Sequence, residues 1–190
     1  MPRYVKGKLH IDTVTIPGVP GVIGMCSCPG SGYLWGSNSN EERGVESDLD
    51  TLSEWGANGI VSFIQSMEFH LVHAPDMGQL IQDRGMWWQH FPIRDMSTPN
   101  KQFESLWKEH SPDIHRRLLE GEKIALHCLA GLGRAGMISA RLMVEFGVKP
   151  KDAIAAVREA RPGTIQTWRQ KFYVSRCKPV PALVNRENQT

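Results

Sequence analysis

With 190 residues, 41% of them hydrophobic and 22% charged, the chain has the composition of one globular domain able to bury a full core. A formal net charge of +2 is too small to favour nucleic acid or a membrane surface, and His, Arg or Gly interrupts every apolar run well short of a bilayer span. Four cysteines, at positions 26, 28, 128 and 177, are too few for a disulfide framework and give no second pair to complete a zinc site, so free thiols, no metal and no cofactor are expected.

The opening MPRYVKGKLHIDTV lacks the apolar core of a signal peptide, and a cytoplasmic monomer is expected. HIDTVTIP and GVIGMCSC read as two strands parted by the turn PGVPG, and SGYLWGSNSNEERG as a long polar loop. Ser47 fits the N-cap of a helix in which Leu49, Leu52 and Trp55 share a face, closed by GAN before the strand GIVSFIQ. DMGQLIQDRG reads as helix and MWWQHFPI as strand. NKQFESLWKEH and SPDIHRRLLEG read as two helices broken at Pro112, and KIALHC as a short buried strand. KPKDAIAAVREAR fits a solvated helix with Ile154 and Val157 inward, and KPVPALVNRENQT a loosely docked or disordered tail. Strands alternating with helices predict a single α/β domain over residues 1–177, a mostly parallel central sheet flanked by helices, with residues 178–190 as the tail.

Such a sheet places ligands beyond the carboxyl ends of its strands, where KIALHC ends on Cys128. The following LAGLGR must turn sharply, and Ile138, Leu142, Met143 and Phe146 then recur at helical spacing. In a strand, loop and helix of this kind, the backbone N–H groups of Leu129, Ala130, Gly131, Leu132, Gly133 and Arg134 can face inward over a helix N-terminus and cradle a tetrahedral oxyanion. The same field makes Cys128 a nucleophile, and Arg134 adds a planar fork for two phosphoryl oxygens.

HC-x-x-G-x-G-R-x-G after a buried strand resembles the signature loop of the cysteine-dependent protein tyrosine and dual-specificity phosphatases. FPIRDMSTP resembles the acid loop, and RPGTIQTWRQ the glutamine loop, of their kinase-associated, cyclin-dependent kinase inhibitor 3-like branch. With VIGMCSCPG and GANGIVSFI, the resemblance covers roughly residues 20 to 176. It implies that Asp95 protonates the leaving group, Gln166 positions the hydrolytic water with support from Gln170, and His127 orients the loop. It also implies hydrolysis of phosphotyrosine, or of phosphoserine and phosphothreonine, in a protein or peptide through a phosphocysteine; the alternative is a catalytically weak phosphate-binding module. The loop interior carries no lysine, unlike lipid phosphatases of the superfamily, which favours a phosphoprotein. Ala135 stands where the family usually has Ser or Thr, which points to bacterial relatives and removes a hydroxyl that helps the thiolate leave. Cys26 and Cys28 share a strand face and read as buried apolar residues rather than resolving thiols.

Overall fold

Strand β5 (Lys123–Cys128) is buried along all but its first residue and apolar from Ile124 to Leu126, the pattern of a parallel strand covered on both faces. In the computed structural model, which describes residues 8–32 and 44–184, β5 is the middle strand of a five-stranded sheet ordered β1-β2-β5-β3-β4. β2 (Val22–Ser27), β3 (Gly59–Ser62) and β4 (Trp87–His90) run parallel with it, and only the edge strand β1 (Asp12–Thr15) is antiparallel. The register sets Ser27 beside Cys128 and Ser62 beside His127, so the end of β5 is flanked by small polar residues where a ligand would enter.

The helices in chain order are α1 (Val45–Trp55), α2 (Ser66–Leu71), α3 (Met77–Gln82), α4 (Lys101–Leu119), α5 (Gly133–Glu145), α6 (Pro150–Ala160), α7 (Trp168–Arg176) and the short α8 (Pro181–Val184). α5 packs on β5 and β2, with α6 and α7 beside it, and α3 lies against β4. Ile154 and Val157 are buried, as their spacing in α6 predicts. Among the described residues no helix is long and apolar enough to cross a membrane.

Several local expectations are corrected. Ser47 is not the N-cap of α1: Gly44 holds that position, and the Ser47 hydroxyl donates back to the Gly44 carbonyl at 3.0 Å. The strand expected through Gln65 stops at Ser62, because Gln65 and Glu68 close a capping box that starts α2. Pro112 does not split α4. Its missing N–H is offset by packing on either side, where Trp107 Nε1 at 2.8 Å and His115 Nε2 at 2.7 Å both meet the buried Glu145 carboxylate of α5. Beyond Cys177 the chain is held as far as α8: Val180 N–H donates to the Glu145 carbonyl at 2.8 Å. The polar loop expected over 31–44 lies, from residue 33 to 43, outside the described residues.

Candidate active site

Cys128 closes β5 at 3% exposure, and residues 129–132 form the loop that leads into α5. The loop carbonyls are claimed from outside. Leu129 O accepts from Cys28 N–H at 3.0 Å, Ala130 O from Arg161 Nη2 at 3.2 Å, and Leu132 O from Ile165 N–H at 3.3 Å. With the carbonyls turned outward, the N–H groups of residues 130–133 meet no backbone acceptor among the described residues. Gly131 makes this possible: its φ is +70°, and a Cβ there would stand 2.2 Å from the Cys26 carbonyl oxygen, so only glycine lets the loop lie against the end of β2. Unpaired amides over the N-terminus of a 13-residue helix make a site for an oxyanion.

Arg134, 1% exposed, is fixed by groups that converge from distant segments. Its Nη1 donates to Glu68 Oε2 at 2.7 Å and to the Ile93 carbonyl at 3.1 Å, and its Nη2 to Glu68 Oε1 at 2.9 Å. The Ile93 carbonyl is delivered by an extension of the sheet, in which Phe91 and Ile93 N–H groups bond to the Ser62 and Phe63 carbonyls. Nη2 also lies 3.1 Å from Asp95 Oδ1, while Nε is buried without a partner. A buried, unsatisfied donor beside unpaired amides is the mark of a site built for an anion.

Asp95 sits in the turn closed by Ser97 N–H on the Arg94 carbonyl, its side chain 63% exposed. The two glutamines meet at Gly133, where an added Cβ would lie 2.8 Å from Gln166 Oε1 and 3.0 Å from Gln170 Nε2. Gln166 is exposed. Gln170 is buried, completes the capping box with Thr167 that starts α7, and donates to the Ser97 carbonyl at 3.2 Å. The glutamine segment thus meets both the loop after Cys128 and the Asp95 turn.

His127, fully buried, precedes Cys128 in β5. Ser62 Oγ accepts from Trp88 Nε1 at 2.8 Å, which leaves its own proton for His127 Nε2 at 2.6 Å. Nδ1 then carries the ring proton and faces the Cys128 carbonyl at 3.4 Å. Burial is the main reason that His127 is lowered to about 4, with the charges of His90 and Arg134 acting in the same sense, so at neutral pH the ring is uncharged.

The structure therefore brings Cys128, residues 129–134, Asp95, Gln166, Gln170 and His127 to one end of the sheet. Three contributors were missed in the sequence: Glu68, Ser62 and Ser97. No spacing marks them; the available signal was that Ser62 and Glu68 stand at and just beyond the carboxyl end of a parallel strand. Cys26 and Cys28 are fully buried, and burial, with Cys26 and Cys128 adding to it, pushes the Cys28 thiol well above its ordinary range. Among the described residues no cluster of His, Cys, Asp and Glu could hold a metal ion.

The family model described as Cyclin-dependent kinase inhibitor 3 (CDKN3) matches residues 8–154. Cyclin-dependent kinase inhibitor 3 of Rattus norvegicus is 28% identical over 155 residues, covering 80% of this chain and 69% of the relative. Its Homo sapiens counterpart is 28% identical over 173 residues, covering 88% and 78%. Among solved structures, kinase associated phosphatase with its catalytic-site cysteine changed to serine superposes with a TM-score of 0.77 at 26% identity, over 90% of this chain and 94% of that one. The active form of Tk-PTP shares the fold, with a TM-score of 0.62 at 24% identity over 92% and 97% of the two chains.

Proposed function

The chain belongs to the cyclin-dependent kinase inhibitor 3 family, and from that membership we propose that it hydrolyses phosphate monoesters of proteins, phosphotyrosine first and phosphoserine or phosphothreonine next, through a phosphocysteine at Cys128. The observation that carries this reading is the Arg134 guanidinium, buried and held on two sides, with Nε left open beside the loop that follows Cys128.

In the first step the Cys128 sulfur attacks phosphorus, the bond to the ester oxygen breaks, and Asp95 gives its proton to that departing oxygen. The amides of residues 129–133 and Arg134 hold the remaining phosphoryl oxygens as charge develops on them. In the ligand-free arrangement the Asp95 carboxylate rests on Arg134; the arriving phosphoryl group replaces one anion by another, and the released Asp95, 63% exposed, takes up a proton from solvent that it then gives to the leaving oxygen. In the second step Gln166, backed by Gln170, orients a water. Asp95 takes a proton from it, the new phosphorus–oxygen bond forms, and the thiolate departs. His127, neutral and hydrogen-bonded on both ring nitrogens, fixes the backbone under the nucleophile without adding charge.

A phosphoprotein suits the loop, whose residues 129–133 add no lysine for a polyphosphorylated ligand. The test is hydrolysis of a small aryl phosphate by wild type and by Cys128→Ser. Turnover lost in the variant, with vanadate binding retained because the cradle and Arg134 remain, supports the reading; equal turnover by both proteins rejects it. One observation favours a second reading, a phosphate-binding module with little turnover: Ala135 is fully buried and places a methyl where a hydroxyl would steady the leaving thiolate. Binding without hydrolysis in the wild type would select it.

A further inference from the structure

Six large apolar side chains are exposed among the described residues, and five of them ride on the segments that bring Glu68, Asp95 and Gln166 to the cradle. Met67 and Leu71 lie on α2 with Glu68, Met96 follows Asp95, and Trp168 and Phe172 occupy the first turns of α7 just after Gln166. Met67 is 81% exposed and Trp168 71%. Apolar surface gathered around one site, on a molecule whose other large apolar groups are almost all covered, marks a surface that a partner covers.

The charge beside this rim is one-sided. A cavity of about 610 Å³ runs from Thr98, in the segment that carries Asp95, along α7 to Lys178. The carboxylates in its wall are already satisfied: Glu104 accepts from Arg141 at 3.0 Å and Tyr173 at 2.7 Å, and Glu145 from Arg141 at 2.8 Å. Arg169, Arg176 and Lys178 have no carboxylate partner among the described residues. Instead, the guanidinium of Arg169 lies 5.5 Å from the Trp168 ring centre, and that of Arg176 5.5 Å from the ring centre of Phe172. Trp168 and Phe172 are four positions apart and share one face of the helix. That face therefore presents aromatic surface with uncompensated positive charge next to it.

We propose that this rim and groove form a substrate-recognition face, which takes an extended segment of the phosphorylated protein with apolar side chains next to the phosphorylated residue and a carboxylate within reach of Arg169 and Arg176. The proposal rests on the phosphatase reading of the cradle and adds the substrate sequence to it. A small hydrophilic phosphate ester would fill the cradle and leave the rim in water. A peptide flanked by Leu and Glu covers the rings and meets the cations, whereas one flanked by Gly and Lys does neither and is repelled.

The test compares para-nitrophenyl phosphate with two phosphotyrosine peptides, one with Leu and Glu flanks and one with Gly and Lys flanks, on wild type, Trp168→Ala and Arg169→Glu. The Leu/Glu peptide is expected to exceed the Gly/Lys peptide about tenfold in kcat/KM, and each variant to lower that advantage about five- to tenfold. The same variants should leave para-nitrophenyl phosphate within about twofold of wild type, since neither side chain touches the cradle. Equal kcat/KM for the two peptides, or equal losses on peptide and para-nitrophenyl phosphate, would overturn the proposal. Should wild type hydrolyse nothing, the phosphatase reading fails by itself. The peptide affinities of Cys128→Ser, which need no turnover, then decide the recognition face: a tenfold preference for Leu/Glu upholds it and equal affinities reject it.

Discussion

Glu68 and Arg134, 66 positions apart, form a two-point ion pair with contacts of 2.7 and 2.9 Å, and the same Glu68 carboxylate accepts the Gln65 N–H at 2.8 Å. One side chain thus starts α2 and fixes the plane of the guanidinium, leaving its buried Nε without a partner. A carboxylate here compensates a buried cation that would otherwise cost several kcal/mol to hold away from water.

Glu68→Ala is expected to lower kcat/KM by about 10², since the guanidinium loses its orientation, and Glu68→Gln, which keeps a hydrogen bond, by about tenfold. Steady-state kinetics on an aryl phosphate measure both. Removing one partner of a buried pair should also cost about 3 kcal/mol in urea unfolding for Glu68→Ala. Unchanged kinetics in Glu68→Ala would show that Arg134 needs no such support.

Asp95→Asn separates two functions of one carboxylate. As the acid, it should be missed by about 10² to 10⁴ in kcat for poor leaving groups and much less for activated aryl phosphates. As the anion resting 3.1 Å from Arg134 Nη2, it competes with substrate, so its loss should tighten vanadate binding. Equal kinetic losses for good and poor leaving groups would mean that Asp95 is not the acid.

In the proposed mechanism Ala135 bears on the second step. If thiolate departure is slow, rapid mixing with an aryl phosphate gives a burst of phenol equal to the enzyme concentration, followed by a slower steady rate. Ala135→Ser should shrink the burst and raise kcat, by a gain limited to about one charge-assisted hydrogen bond, 1.5 to 3 kcal/mol. Gln166→Ala should enlarge the burst. Wild type without a burst, and indifferent to Ala135→Ser, would place the limit at the first phosphoryl transfer.

His127 sets a pH signature on stability. Its folded value of about 4 lies below the ordinary 6.5, so between those values the unfolded chain binds more protons than the folded one. Stability is therefore full above pH 6.5 and falls as pH drops towards 4, by about 3 kcal/mol for the whole shift. Urea midpoints across that window should fall more steeply for wild type than for His127→Asn, which keeps a donor near the Cys128 carbonyl but has no ring to protonate. Parallel slopes would mean that His127 does not carry the effect.

The parts of this site that could be read from the sequence are those whose local backbone does the chemistry. KIALHC followed by a glycine-rich turn and an apolar helix fixes Cys128, the cradle and Arg134 almost by itself, because strand, loop and helix are adjacent in the chain. Asp95, Gln166 and Gln170 were found through motif resemblance, and their convergence on Arg134 and Gly133 is tertiary. Glu68 and Ser62 were invisible, since each acts on a residue 65 or 66 positions away and neither carries a spacing rule. Pro112 misled for the opposite reason: a strong local break signal yielded to two hydrogen bonds on Glu145 that only the folded chain supplies.

The bond from Gln170 to the Ser97 carbonyl spans 73 positions and joins the last glutamine segment to the turn that carries Asp95. During synthesis, therefore, the sheet and Cys128 leave the ribosome well before the residue that pins the Asp95 turn. A chain that ends with α6 carries Cys128 and Arg134 yet has neither Gln166 nor the clamp on Ser97. Such a chain holds the groups proposed for the first step and lacks the glutamines proposed for the second, so it is expected to stall at the phosphocysteine.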